Sequence, residues 1–321
     1  MRTKIMAEER KKGKSLLALP SEYIVLDLET TGYDPYWNEI IEICAIKCVD
    51  HEPVEKIHTF INPDNNIPKH ITNLTGITNE MVIGAPKINE VLPEFHSFVG
   101  NDIILGQCVY FDINFIHDSY IYQFGDGVYS IENDYVDLNR IAKKIVPGLE
   151  NYKLSTIASS FGFDTSGAHR ADFDCEITNI CYKMCKEVAS CHPDPESLFK
   201  STIKRYSKSI YETVKACDIT RSTDEVDPTH PFYETTCVFT GKLSKCTREE
   251  AMQFVVNIGG CCGDSVTKKT NYLIMGDYSY CDTIKDGKTG KHKRAEKLKA
   301  EGQDIEIISE SVFYDMILEH Q

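Results

Sequence analysis

One short stretch restricts the possible folds of this chain more than any other. YIVLDLETTG is an apolar run ended by a glycine turn, too short for a buried helix, and reads as a strand. The segment TTGYDP turns the chain, and EIIEICAIKCV and KIHTFINP follow with little between them, so three consecutive strands form an antiparallel meander. The first strand carries Asp27 and Glu29. Residues two apart on a strand project from the same face, so both carboxylates point one way. Ile24, Val25, Leu26 and Leu28 around them mark a central, buried strand. Two like charges in such a place are costly without a compensating cation. The alternative is a strand end whose acids are simply solvated.

Two later segments bear on that choice. Asp112 in VYFDINF follows an apolar strand, DIILGQ, and starts a helix. AHRADFD then supplies His169 and Asp174, with Asp174 in the first turn of a helix and His169 just before it. Four acids and a histidine can therefore converge from three separated segments. Between these lie helical stretches, HITNLTGI, PKINEVLPEFHSFV, FDINFIHDSYIYQF and KLSTIASSFG, and IENDYVDLNRIAKKIV passes from strand to helix. A meander followed by alternating helices and strands is an α/β fold with a mixed sheet.

The three segments resemble the three exonuclease motifs of the DEDDh family, which includes the epsilon subunit of bacterial DNA polymerase III. The resemblance covers about residues 21–190 and extends to EIIEI, FINP, HITNLTGIT, LPEF and YKLSTIA. It implies an RNase H-like fold, two Mg²⁺ or Mn²⁺ ions, and 3′→5′ hydrolysis releasing nucleoside 5′-monophosphates. On this resemblance Asp27, Glu29, Asp112 and Asp174 hold the metals and His169 is the general base. The chemistry is consistent with that assignment: two ions clamp the attacking and leaving oxygens of a phosphodiester, and an imidazole titrates near neutral pH. Thr30, Thr31, Leu74 and Ile77 resemble the parts that hold the terminal nucleotide. One departure stands out. Where the family's second motif usually has His-Asn, this chain has Gln107 and Cys108, and cysteine replaces the amide's hydrogen bonds poorly.

With 321 residues there is room for two domains. A net charge of −14 argues against a protein that coats nucleic acid, though not against one that grips a strand end. No run approaches the roughly 18 apolar residues of a membrane span, and residues 1–20 read as a basic, solvated tail and not as a signal peptide. The chain is accordingly expected in the cytoplasm. The thirteen cysteines include no CxxC pair; Cys175, Cys181, Cys185 and Cys191 with His192 read as a buried helix face more than as a zinc site.

Residues 191–228 read as a linker, an amphipathic helix ESLFKSTIKRYSKSIYETVKA followed by the polar stretch DITRSTDEVDPTH. From 229 to 321 a smaller α/β unit follows. Its strands are TTCVFTG, NYLIMG and IEIIS, and its helices are TREEAMQFVVNIGG, KRAEKLKAEG and ESVFYDMILEH. This region resembles a BRCT domain of the subgroup found in NAD-dependent DNA ligases and the large subunit of replication factor C. That subgroup binds a phosphate, and the matching positions are Thr240, Gly241, Arg248 and Lys291. The cluster KTGKHKR at 288–294 adds local positive charge, and Phe313 stands where the family usually has tryptophan. The alternative for this unit is docking of a protein partner, such as a polymerase or repair protein. For the whole chain the leading expectation is a DNA 3′→5′ exonuclease of proofreading or repair acting on a single-stranded 3′ end. The others are an RNA-trimming exonuclease and a catalytically weak scaffold.

Overall fold

The computed structural model describes residues 10–193, 198–199, 215–223, 226–243, 245–276 and 289–318. Almost all of the linker helix read over 196–216 lies outside the described residues. The chain divides into two compact units, Met1–Ser201 and Thr202–Gln321.

In the first unit, β1 (Glu22–Thr30), β2 (Ile40–Val49) and β3 (Glu52–Phe60) form the antiparallel meander. Three short helices follow, α1 (Lys69–Thr75), α2 (Asn79–Val82) and α3 (Ile88–Val99). Then come β4 (Ile104–Gly106), α4 (Tyr110–Phe124), β5 (Tyr135–Asp137), α5 (Leu138–Ile145), α6 (Leu154–Ser160) and α7 (Ala171–Ser190). The sheet order is β3-β2-β1-β4-β5, with β4 and β5 parallel to β1. β1 is thus central, which explains why both of its faces are apolar. Ile24, Leu26 and Leu28 face α3 and α4, while Tyr23 and Val25 face α5, α6 and α7. Asp27 and Glu29 continue the second of these rows, so they emerge beneath the start of α7. Cys175, Cys181 and Cys185 are buried in that same layer, and Cys191 is exposed.

The segment read as a solvated tail needs correction. Leu16 N donates to the Tyr135 carbonyl at 2.7 Å and Tyr135 N to that of Lys14 at 3.0 Å, so residues 14–16 add to the β5 edge. Leu16, Leu17 and Leu19 pack on the core, and Arg10 pairs with the buried Asp118 at 2.8 Å. The apolar LLAL run seeks burial more strongly than its basic flank seeks water.

The second unit contains β6 (Thr236–Thr240), α8 (Arg248–Ile258), β7 (Cys261–Gly263), β8 (Tyr272–Met275), α9 (Gly290–Ala300), β9 (Glu306–Ser309) and α10 (Glu310–Leu318). Its four strands are all parallel, in the order β7-β6-β8-β9. A capping box at Thr247 and Glu250 opens α8, and Gly259, left-handed at φ 104°, closes it. Phe313 is fully buried and packs against Phe232 and Phe239, filling the core where a larger indole is usual.

Candidate active site

Each acid reaches the site by a different backbone device. Asp27 and Glu29 share a face of β1, and a bulge follows Glu29 and turns the chain away. Asp112 lies in the first turn of α4, and its Oδ1 accepts from Leu28 N at 3.0 Å, which pins it against β1. Gly106 allows that approach, because a Cβ there would meet the Leu26 carbonyl at 2.8 Å. Asp174 lies in the first turn of α7 and accepts from His169 N at 2.9 Å. His169 itself is left-handed at φ 68° and exposed. Ligand atoms of Glu29, His169 and Asp174 all lie within 4.8 Å of one another.

The electrostatics show what this arrangement lacks. Burial pushes the Asp27 carboxyl well above the usual range, and Asp112, Glu29 and Asp174 push it further. Glu29 is pushed up to about 8 by burial, then by Asp174 and Glu42, with Arg170 opposing. Asp174 rises through burial against the His169 amide, and Asp112 rises through burial against the Leu28 amide. All four move in the direction that like charges without enough counter-charge must move. Four hard carboxylate groups suit Mg²⁺ or Mn²⁺ better than a softer metal. The residues fit such ions: Glu29, His169 and Asp174 bring ligand atoms together, and Asp27 and Asp112 are close enough to add their charge.

The remaining sequence candidates divide. Thr30 is buried and donates to the Gly32 carbonyl at 2.7 Å, and Thr31 is buried and accepts from Glu39 N at 2.9 Å, so both hydroxyls serve the turn. Leu74 is half exposed. Ile77, read as a substrate contact, is fully buried and packs with Ile41, Ile67, Ile71 and Val82. Gln107 donates to the Tyr152 carbonyl at 2.7 Å, which ties the second motif to the start of α6. Cys108 has φ 55°, a conformation asparagine adopts more readily than cysteine. Sequence reasoning passed over Glu42 and Arg170, whose side chains pair at 2.8 Å beside the site. A buried acid within the apolar run of β2 was the available signal, since such a charge requires a partner.

In the second unit the four phosphate candidates meet at the end of β6. Thr240 donates to Thr289 Oγ1 at 3.1 Å, Arg248 to the Gly241 carbonyl at 2.9 Å, and Lys291 to the Phe239 carbonyl at 2.8 Å. Lys291 is held below its ordinary pKa by burial and by the neighbouring Arg248 charge, with Asp264 opposing. Arg248 and Lys291 are thus close enough for their charges to interact.

Comparison with known proteins agrees with this division. The family model described as Exonuclease matches residues 24–182, and the BRCA1 C Terminus (BRCT) domain model matches residues 228–317. The DNA polymerase III subunit epsilon of Aquifex aeolicus is 40% identical over 171 residues, 53% of this chain and 83% of that protein. The PolC-type DNA polymerase III of Clostridium perfringens is 38% identical over 175 residues, 53% of this chain but only 12% of that much longer one. A crystal structure of E. coli Exonuclease I in complex with a dT13 oligonucleotide aligns with a TM-score of 0.48 and 22% identity, over 53% of this chain and 42% of that one.

Proposed function

Since the chain belongs to the exonuclease family of the DNA polymerase III epsilon subunit and is a 3′→5′ exonuclease with a BRCT domain after it, we propose that it trims single-stranded DNA 3′ ends during proofreading or repair. Asp27, Glu29, Asp112 and Asp174 would hold two divalent cations, and His169 would take the proton from the attacking water. The observation that carries this reading is geometric: Asp27 and Glu29 share a face of β1, Asp112 is pinned to Leu28 N, and Glu29 brings its ligand atom within 4.8 Å of those of His169 and Asp174. When bound, divalent cations supply the charge that neutralises the phosphate and the acidity that makes water a nucleophile. The chain's own contribution is geometric. The β1 strand and the α4 and α7 starts fix four ligands, and the exposed edge of His169 faces Glu29 and Asp174 from the solvent side. Leu74, exposed on α1, offers an apolar surface to the terminal nucleotide.

We further propose that Thr240, Gly241, Arg248 and Lys291 bind a DNA phosphate. Because both units are on one chain, binding at one raises the local concentration of DNA at the other. The test is release of mononucleotides from end-labelled single-stranded DNA and from RNA of the same sequence, each with Mg²⁺ and with excess EDTA. Release of 5′-monophosphates from DNA with Mg²⁺ alone is the expected result. Undiminished release in EDTA would overturn the metal assignment, and faster release from RNA would make RNA trimming the function.

A further inference from the structure

We propose that Glu42 and Arg170 form a clamp that positions His169 for proton transfer, which makes Glu42 a positioning residue of the reaction. The inference rests on the exonuclease reading with His169 as base.

Glu42 lies in β2 directly across the ladder from Glu29 and is fully buried. Its Oε1 accepts from Arg170 Nη2 at 2.8 Å and from His58 Nε2 at 2.8 Å. Its Oε2 accepts from Arg170 Nε at 3.2 Å and from Ala171 N at 3.1 Å. An ionised carboxylate has about four acceptor positions, so this one is filled. The same saturation answers a second possibility. Glu42, His58 and Asp172 bring ligand atoms within 4.8 Å of one another, as a metal site would. The Arg170 guanidinium already supplies the positive charge there and occupies the Glu42 oxygens, so the group is an ion-pair network.

What the clamp holds is the start of α7. Arg170 is the residue preceding the helix and provides no side-chain cap of its own. The first helical N–H, that of Ala171, is satisfied instead by Glu42 from the neighbouring strand, a cap delivered from another element. Arg170 is fixed further by its guanidinium lying 5.2 Å from the Phe60 ring centroid. His169 is the next residue back and sits at φ 68°, where a non-glycine residue stays only if its surroundings hold it. It is held on two sides. Residues 170 and 171 are anchored to Glu42, and the His169 amide is anchored to Asp174 Oδ2 at 2.9 Å. Releasing the first anchor lets the backbone relax out of the left-handed region and carries the imidazole away from Glu29 and Asp174.

The test uses the full chain with Glu42→Gln and Arg170→Lys, each in the wild-type and in the His169→Ala background, on a single-stranded deoxyoligonucleotide with Mg²⁺. Glutamine replaces one accepting oxygen with a donor, and lysine keeps the charge but loses the two-pronged geometry. In the wild-type background kcat falls about 10–100-fold with KM nearly unchanged, the scale of a small misplacement of a catalytic group. In the His169→Ala background the same changes have almost no further effect, because the group they position is gone. Equal losses in both backgrounds, or a loss confined to KM, would overturn the proposal. A readout independent of turnover is amide exchange, which in Glu42→Gln speeds up at His169 and Ala171 and not in the middle of α7. Unchanged exchange at those two amides also overturns it. A wild-type chain that releases no mononucleotide refutes the exonuclease reading, and the exchange experiment still judges the clamp.

Discussion

The two units of this chain place opposite charges in equivalent positions. In the first, the central strand β1 ends in a nest of carboxylates whose mutual repulsion and burial drive their pKa values up. In the second, β6 ends beside Arg248 and Lys291, and burial with the Arg248 charge drives Lys291 down. Each is a cluster of like charge that folding alone does not relieve. The difference is one of degree. Asp112 is buried and Asp27 and Glu29 are partly buried, whereas Arg248 is exposed and Lys291 partly buried, so water screens the cationic site more. On the proposed reading, uncompensated like charge at a strand end marks a ligand of opposite sign, with dependence on that ligand growing with burial.

The largest effect falls on the enclosed cluster. Asp27→Asn should abolish mononucleotide release, and in EDTA it should raise the melting temperature of the first unit, because it removes one of the repelling charges. Loss of activity with lower stability in EDTA would mean that Asp27 is a fold-holding residue and that the nest is not under strain. Next in size, His169→Ala should lower kcat by roughly 10²–10⁴, the usual contribution of a general base, with little change in oligonucleotide affinity. A loss that appears in KM instead would assign His169 to substrate binding.

The screened cluster should respond more mildly. Arg248→Ala or Lys291→Ala should each cost about 1.5–3 kcal/mol in binding of 5′-phosphorylated duplex DNA, the scale of hydrogen bonds to charged groups. Hydrolysis of a short oligonucleotide at saturation should be unaffected. Equal affinity for phosphorylated and unphosphorylated ends, indifferent to Arg248→Ala, would make this unit a protein-docking module. The smallest effect involves no charge. Cys108→Asn relieves a left-handed cysteine and should gain roughly 1 kcal/mol in a urea titration. No gain would show that the Asn139 amide, 3.9 Å from the Cys108 sulfur, already compensates the conformation.

Most of the fold can be read in the sequence because its elements are long and periodic. The meander, α3, α4, α7 and α8 all carry repeats that identify them. Among the described residues, the elements the sequence reading lacks include α2, four residues long, and β7, three residues ending in glycine, neither long enough to show a period. The acids of the site were visible because a strand's alternation puts Asp27 and Glu29 on one face. The burial of Ile77 was not visible because a loop isoleucine looks the same in sequence whether it meets a substrate or the core. Glu42 and Arg170 stayed hidden because their partnership spans 128 positions of chain and depends on β2 passing under the start of α7.

The central claim, that the carboxylate nest is a cation site, is most directly tested by melting the full chain at several pH values with and without Mg²⁺. The chain's one tryptophan, Trp37, lies in the first unit and reports on it. Glu29 has a folded pKa of about 8, raised from 4.5. Between these values the unfolded chain gives up that proton and the folded chain keeps it, so the contribution of Glu29 to metal-free stability falls as pH rises. A cation removes the penalty, so the Mg²⁺-induced rise in melting temperature should be small near pH 5 and grow steadily towards pH 8.5. At about 100 times its dissociation constant a bound ion adds about 2.7 kcal/mol. A rise of the same size at every pH, or none at all, would contradict the account.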